Sequence, residues 1–378
     1  MIRILHLADL HLGWEPRFLG PQAVAWQQER DNILAAVVEF ALEPGNGIDL
    51  VLIVGDLFDC HNPGQALVKE TMRQLRRLSD SGIKVVTVPG NHDEITYPDS
   101  VYRLQAGAWP GILVQNPYPA HVATLELGRD KFHLYSLAYT GGLTKTSPPL
   151  NDFPHNGEAG WHVAAFHGSL DWDAGDRSLP ISRSALAEAG YDYVALGHLH
   201  KPSSYQLGKG VAVYPGSLAA KGWNDPGCGQ LTVVSFSSQG VRVEKQELPY
   251  SICRPCRLLE VDAGQYQTPA ELVAGLKARL NKEEIVSIRL YGLANFAVEL
   301  EEICTSLEGE CYYLEVTDMT ESYSPALLDA LARENTLRGY YVKRMQELLA
   351  GASDEQERRL LTRSLLYGLK ALGVSSGE

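Results

Sequence analysis

The sequence is poor in everything that would take it out of the ordinary globular class. Its 378 residues hold only six cysteines, at positions 60, 228, 253, 256, 304 and 311, too few and too scattered for a disulfide framework. No stretch approaches the roughly 18 consecutive apolar residues of a membrane span; the most apolar, around Ile33 to Leu42, is interrupted by Glu39. The N-terminus lacks the basic-then-apolar build of a signal peptide, so the expectation is a reducing cytoplasm and no membrane contact. Basic residues are the minority, 33 Lys+Arg against 46 Asp+Glu for a net charge of −13, and the excess is acidic both before and after residue 250. That balance argues against a broad phosphate-tracking surface, so any nucleic-acid chemistry has to come from a local site. Internal repeats and low-complexity tracts are missing as well. With 45% hydrophobic and 21% charged residues the chain is neither disordered nor fibrous, and its length calls for two or three domains.

What is present is an alternation of short apolar runs with helical patterns, the mark of an α/β class protein. Strands are expected at Ile2 to Leu7, Leu50 to Val54 and Val85 to Val88, with helices at about 23–42 and 67–78 between them. From Ile112 the runs become shorter and more alternating, which predicts a second, mixed or antiparallel sheet. Residues 1–250 are expected to form one catalytic domain. Residues 251–320 read as a small α/β cap: strand, helix (269–281), strand (285–290), helix (296–307), strand (312–316). Residues 321–378 read as a C-terminal arm of two helices broken at Gly351, the first capped by Ser324-Pro325 and the second by the box Ser353-x-x-Gln356.

Five short segments share one character: Asp9-x-His11, Gly55-Asp56, Gly90-Asn91-His92-Asp93, His167-Gly168 and Gly197-His198-x-His200. Each follows an apolar run, at the strand end where open α/β sheets place ligands. Buried Asp and His cost free energy unless they are paired or bound to metal, and mixed oxygen and imidazole donors suit Mn, Fe or Zn better than Mg. Two divalent ions close together need a bridging carboxylate. Asp56, alone in a tight Gly-Asp turn, is the natural bridge. Asp9, His11 and His200 would complete one ion's shell, and Asn91, His167 and His198 the other's.

In these five ordered blocks, spanning residues 9–200, the chain resembles the calcineurin-like metallophosphoesterases. Leu5-His6-Leu7-Ala8-Asp9-Leu10-His11-Leu12-Gly13, Gly55-Asp56-Leu57-Phe58-Asp59, Gly197-His198-Leu199-His200-Lys201-Pro202 and Tyr214-Pro215-Gly216-Ser217 are similar to the SbcD-type nuclease subunit of double-strand-break repair complexes. Arg254-Pro255 is similar to that group's entry into its capping domain. The resemblance implies a four-layer α/β/β/α sandwich with a small α/β cap and C-terminal helices. It implies a DNA exonuclease or endonuclease of repair that uses two divalent ions, Mn first, with Fe or Zn as alternatives. His92 would be the catalytic residue that assists the transition state, oriented by Asp93. Expected partners are DNA, an SMC-like ABC-type ATPase (SbcC-like) gripped by the helical arm, and a second copy of the chain. The alternatives are a phosphomonoesterase or small-nucleotide phosphodiesterase on the same site, since the blocks specify metals and not substrate, and a DNA-end-binding scaffold. In one respect the chain departs from archaeal and eukaryotic members: Asp59 stands where they commonly carry His, and His61 lies two positions on.

Other features have plainer expectations. Cys253-x-x-Cys256 reads as buried thiols, because no second such pair exists to complete a zinc site. His6, His121, His133, His155 and His162 are expected to be structural, and Arg73, Arg76 and Arg77 to form a solvated helix face. Trp14, Arg17 and Phe18, just after the first block, are candidates for the substrate cleft. In the arm, Leu337, Tyr341, Met345 and Leu348, and then Leu361, Leu365, Leu369 and Leu372, form one apolar stripe per helix, with Arg358, Arg359 and Arg363 nearby.

Overall fold

The alternation of apolar residues along each strand decides the architecture, because successive side chains leave a strand on opposite faces. In Leu50–Val54, Leu50, Leu52 and Val54 enter one hydrophobic cluster and Val51 and Ile53 another. The computed structural model describes residues 1–140, 150–171, 178–292, 294, 296–320 and 325–374. Its contacts divide the chain into two compact units, Met1–Pro255 and Cys256–Glu378.

The first unit is built on two six-stranded sheets. One runs Gly240–Glu247, Gln230–Ser237, Ile2–Leu7, Leu50–Val54, Lys84–Val88, Ile112–Leu113 from edge to edge. The other runs Ser203–Leu207, Gly210–Tyr214, Tyr193–Gly197, Trp161–His167, Asp130–Ser136, Ala120–Leu127. The second sheet is mixed, with parallel central strands and antiparallel edges. Three segments placed by pattern with the second sheet belong instead to the first, the last of them, Gly240–Glu247, as its edge strand beside Gln230–Ser237. Ile112–Leu113 pairs with the strand Lys84–Val88, and Gln230–Ser237 returns to pair antiparallel with Ile2–Leu7. Local alternation marks a strand but carries no information about which distant strand it joins.

Between the sheets lies a core of Ile2, Ile4, Leu52, Val86, Phe132, Leu134, Val163, Tyr193 and Phe236. The outer face of the first sheet packs on helices Ile33–Leu42 and Gln65–Asp80, and that of the second on Arg183–Ala189. This is the α/β/β/α layering. Residues 23–42 form two helices rather than one, Ala23–Asp31 and Ile33–Leu42. They meet at Asn32, which keeps right-handed helical angles (φ −72°, ψ −8°) and whose N–H still reaches Gln28 O.

In the second unit, Cys256–Asp262, Ile285–Tyr291 and Tyr313–Asp318 form a parallel sheet backed by helices Pro269–Lys277 and Leu300–Ser306. Three helices follow, Pro325–Ala332, Leu337–Ala350 and Glu355–Ala371, where the pattern predicted two. The missed break is at Thr336, whose side chain accepts from Gly339 N–H and starts a new helix. The last helix is capped one residue later than expected: Asp354 accepts from Glu357 N–H, while Ser353 donates its N–H and hydroxyl to the Glu357 carboxylate. The expected cap at Ser324 lies outside the described residues. Met345 from one stripe, Leu365 and Leu369 from the other, and Val342, which the stripe did not include, bury against Leu328 and Leu331 of the preceding helix. Leu337 and Leu348 turn out to be exposed, so the expected stripes are largely closed on one another.

Candidate metal centre

All five polar blocks converge where strands of both sheets end. The first two loops are zipped together by Asp9 N–H to Gly55 O at 3.1 Å and His11 N–H to Asp56 O at 2.9 Å. From the second sheet, His167 closes its strand and His198 donates its N–H to both Asp9 carboxylate oxygens at 3.1 Å. Five non-glycine residues among those described have positive φ, and four of them are Asp9, His11, Asp56 and His198. Such backbone costs about 1–3 kcal/mol per residue and persists where the surroundings impose it, commonly at functional sites. Glycines make the close approach feasible: a Cβ at Gly90 would fall 2.2 Å from Asp56 Oδ1, and one at Gly55 2.1 Å from His167 Nδ1.

Asp56 sits at the middle. Its Oδ1 accepts the His92 N–H at 2.9 Å, while Oδ2 faces His11 Nε2 at 3.6 Å and His167 Nε2 at 3.4 Å. Asp9, His11 and His200 converge as one possible ligand group, and Asp9, Asp56 and His167 as another. Asn91 Oδ1 lies 2.9 Å from both His167 Nε2 and His198 Nδ1. The seven proposed ligands are therefore neighbours in space.

The imidazole hydrogen bonds test whether cations fit. A carboxylate or carbonyl oxygen can only accept, so the ring nitrogen facing it carries the proton. His11 Nδ1 donates to Asp59 at 3.1 Å, and His200 Nδ1 donates to Asp225. His11 Nε2 and His200 Nε2 then face each other at 3.1 Å, each with a lone pair when the rings are neutral. His167 Nδ1 donates to Val54 O at 2.9 Å, which turns its Nε2 toward the oxygens of Asp56 and Asn91. Lone pairs aimed at lone pairs call for a proton or a metal cation between them, and the donor set fits a pair of divalent ions.

The electrostatics say the same. Burial pushes Asp9 up to about 6, and burial together with the Asp56 charge pushes Asp93 up to about 6. Burial opposes ionisation of Asp56 too, but His167, His11 and His92 outweigh it and hold its carboxyl far below the usual range. His167, despite its burial, is raised to about 9 by Asp56 and Asp9. Burial dominates at His11 and lowers it to about 4. Among the described residues the ion-pair partners of Asp9 and Asp56 are histidines and no Lys or Arg, so the positive charge that these buried carboxylates require has to come from protons or bound ions.

His92 differs from the ligand set. Its side chain is 38% exposed and its Nδ1 donates to the Asp59 carbonyl at 3.0 Å. Asp93, expected to orient it, does something else. Its carboxylate accepts from Gly90 N–H, Asp56 N–H, Phe58 N–H and the Tyr102 hydroxyl, pinning the loops under the site. Asp59, noted in the sequence as a departure from the related pattern, accepts from His11 Nδ1 and from Lys221; sequence reasoning missed three residues, Lys221 and Asp225 beside the histidines, and Arg30, fully buried, which donates to Leu10 O, His11 O and Ala220 O. Trp14 and Phe18 pack with Trp26 and Trp223 alongside, and Arg17 pairs with Glu15. All six cysteines are free, and none joins a metal-capable group among the described residues.

A calcineurin-like phosphoesterase profile matches residues 2–202, more than half of the chain. The chain belongs to the calcineurin-like phosphoesterases. Two DNA double-strand break repair proteins Mre11 are similar to it. That of Methanopyrus kandleri is 27% identical over 362 residues (89% of this chain, 77% of the relative), and that of Aeropyrum pernix 29% over 283 residues (70% and 64%). A Bacillus subtilis protein, "Uncharacterized metallophosphoesterase YhaO", is 26% identical over 262 residues, covering 65% of this chain and 60% of that one. The chain thus spans under two thirds of two of these three relatives. Calcineurin-like phosphoesterases are hydrolases that use a dinuclear divalent metal site, and the Asp and His clusters described above could hold metal ions. No helix among the described residues is long and apolar enough to cross a membrane.

Proposed function

We propose that this phosphoesterase is a DNA phosphodiesterase of double-strand-break repair, of the SbcD type, cleaving as an exonuclease or endonuclease with Mn as the preferred metal. The observation that carries the reading is the shared Asp56 carboxylate between two sets of bare imidazole nitrogens; the Mre11 relatives support DNA as the substrate. Asp9, His11, Asp56 and His200 would hold one ion, and Asp56, Asn91, His167 and His198 the other. Two such ions supply a nucleophile at neutral pH and offset charge on the phosphoryl oxygens. The chain's own part is to fix those donors and to exclude other geometries through the strained loops. His92, with its Nδ1–H committed to Asp59 O, would give a proton to the leaving oxygen from Nε2 of its imidazolium form, returning to the neutral ring with Nδ1–H in place.

The test is an assay on end-labelled duplex and hairpin DNA beside a nitrophenyl phosphate ester, with Mn, Mg or chelator. Cleavage of DNA is expected with Mn and its loss in chelator. Metal-independent cleavage would overturn the proposal, and turnover of the small ester alone would favour the second reading, a small-phosphoester hydrolase, to which the net charge of −13 inclines.

We further propose that the C-terminal helices dock on an SMC-like ATPase, with the second unit's outer faces making the contact. Leu337 (73% exposed), Tyr340 (71%), Leu360 (64%) and Tyr367 (72%) recur at helical spacings on Leu337–Ala350 and Glu355–Ala371. The double variant Tyr340→Glu and Tyr367→Glu is expected to leave DNA cleavage and thermal stability unchanged while abolishing co-purification with a co-expressed ATPase. Retained association would remove these faces from the proposal.

A further inference from the structure

Four histidines outside the candidate metal centre meet at one corner of the second sheet. His155 and His162 stack with ring centroids 3.8 Å apart and planes 21° from parallel, His162 stacks on His133 at 4.8 Å, and His121 lies 5.9 Å beyond His133. His133 and His162 sit side by side on neighbouring strands, Asp130–Ser136 and Trp161–His167. His155 comes from the segment 153–160, which leads into the second of these strands, and Phe153 seats that segment by burying against Phe166. A proton on one ring of such a stack puts its charge directly against the next ring.

Side chains alone hold the segment down. Among the described residues, no N–H or C=O group from 154 to 159 bonds to another backbone group. Pro154 O accepts from the Tyr191 hydroxyl, and Asn156 N–H donates to the Tyr135 hydroxyl at 3.1 Å. Glu158 O accepts from His162 Nε2–H at 2.8 Å and Ala159 O from His133 Nε2–H at 3.1 Å. Those carbonyls fix the tautomers, so Nδ1 is bare in each neutral ring. His162 Nδ1 accepts from the Tyr135 hydroxyl at 2.9 Å, His133 Nδ1 from Asn156 Nδ2 at 3.2 Å, and His155 Nδ1 from Gly157 N–H at 3.0 Å. The segment is therefore bonded to the form its histidines take when neutral. A proton on His155 Nδ1 would point at the Gly157 N–H, and one on His162 Nδ1 would leave the Tyr135 hydroxyl with two donors and nothing to donate to.

We propose that this stack is an acid-sensitive latch: protonation of His155 and His162 releases the segment 153–160 from the second sheet while the sandwich stays folded. Burial lowers both histidines from their ordinary value, Lys209 lowers His155 further, and Asp192 pulls back on each without reversing the direction. A histidine lowered in the closed form contributes stability that is complete above about pH 6.5, the ordinary histidine value, and is lost as the pH falls below it, because the released form binds the proton more tightly. The charges facing the stack from the neighbouring elements are otherwise balanced. Lys131 pairs with Glu158 at 3.7 Å and Lys209 with Asp192 at 2.9 Å, which leaves Asp152 beside Tyr191 and the ring of His121 at the far end. The latch depends on neither the metals nor the substrate.

The experiment is hydrogen–deuterium exchange of the full-length protein at about pH 7.5 and about pH 5.5, each rate corrected for the intrinsic pH dependence of amide exchange. The amides of Asn156, Gly157 and Glu158, all hydrogen-bonded to side chains, are expected to lose their protection at the lower pH while the strands Asp130–Ser136 and Trp161–His167 keep theirs. The readout is the ratio between the two pH values, so a variant that loosens the segment equally at both does not mimic the latch. His155→Gln combined with His162→Gln is expected to bring that ratio close to one. Lys209→Met is expected to blunt the release, since losing that charge and freeing Asp192 ease an imidazolium in the closed form, whereas damage to the corner would raise exchange. Its side chain is exposed, so this variant decides even if the double one fails to fold. Equal protection at both pH values, a ratio unchanged in the double variant, a sharper release in Lys209→Met, or loss of protection by the whole sandwich together would overturn the inference.

Discussion

Replacing Asp56 by Ala is expected to empty both metal positions at once. The reason is geometric: one oxygen, Oδ2, faces His11 Nε2 at 3.6 Å and His167 Nε2 at 3.4 Å, so neither half has a private substitute for it. The loss would also be electrostatic, since on the proposed reading Asp56 is the carboxylate that offsets the repulsion between two divalent ions. Elemental analysis of the purified variant is the check, with a metal content near zero and activity lost to the same extent. Asp56 has a φ of 50°, which Asn tolerates better than Ala, so Asp56→Asn separates loss of charge from backbone strain. Retention of one ion by both variants would show that the carboxylate does not bridge.

His92→Ala is expected to keep its metal and lose most of its turnover, by roughly 10²–10⁴-fold, the usual effect of removing a positioned acid. His92 does lie with His11 and Asp56 in a grouping whose donors converge. Its hydrogen bond and exposure favour the acid role over the ligand role, because Nδ1 is committed to the Asp59 carbonyl and the ring is 38% exposed where His11 and His167 are buried. Metal content and turnover measured on the same preparation decide between them. An ion lost together with activity would make His92 a ligand, and an unchanged rate would remove it from the chemistry.

The ligand blocks were legible because each follows a buried strand and carries residue types a fold does not need for stability. The supporting residues were not. Asp225 lies in a loop of Gly, Trp, Asn and Pro with no periodicity or motif, and only the return of the chain to the first sheet brings it against His200. Arg30 reads as a polar position on an amphipathic helix, yet it is buried with three carbonyls as partners. Asp93 misled in the opposite way. Adjacent to His92 in sequence, it points to Tyr102 and the neighbouring loops, since consecutive residues in a tight turn diverge. In the second unit, the stripe through Met345 and Leu365 was correctly apolar, but a helical pattern does not say whether its partner is foreign or the next helix along.

The distribution of the ligands along the chain bears on how the protein is made. Asp9 and His11 leave the first sheet and His198 and His200 the second, nearly two hundred residues later, and each set is incomplete without the other. During synthesis Asp9, His11 and Asp56 emerge well before His167, His198 and His200, so the full donor set exists only once strands of both sheets have formed. Metal loading is therefore expected to follow the folding of both sheets, and stripping with chelator is expected to leave the sandwich folded, which circular dichroism of the stripped protein checks.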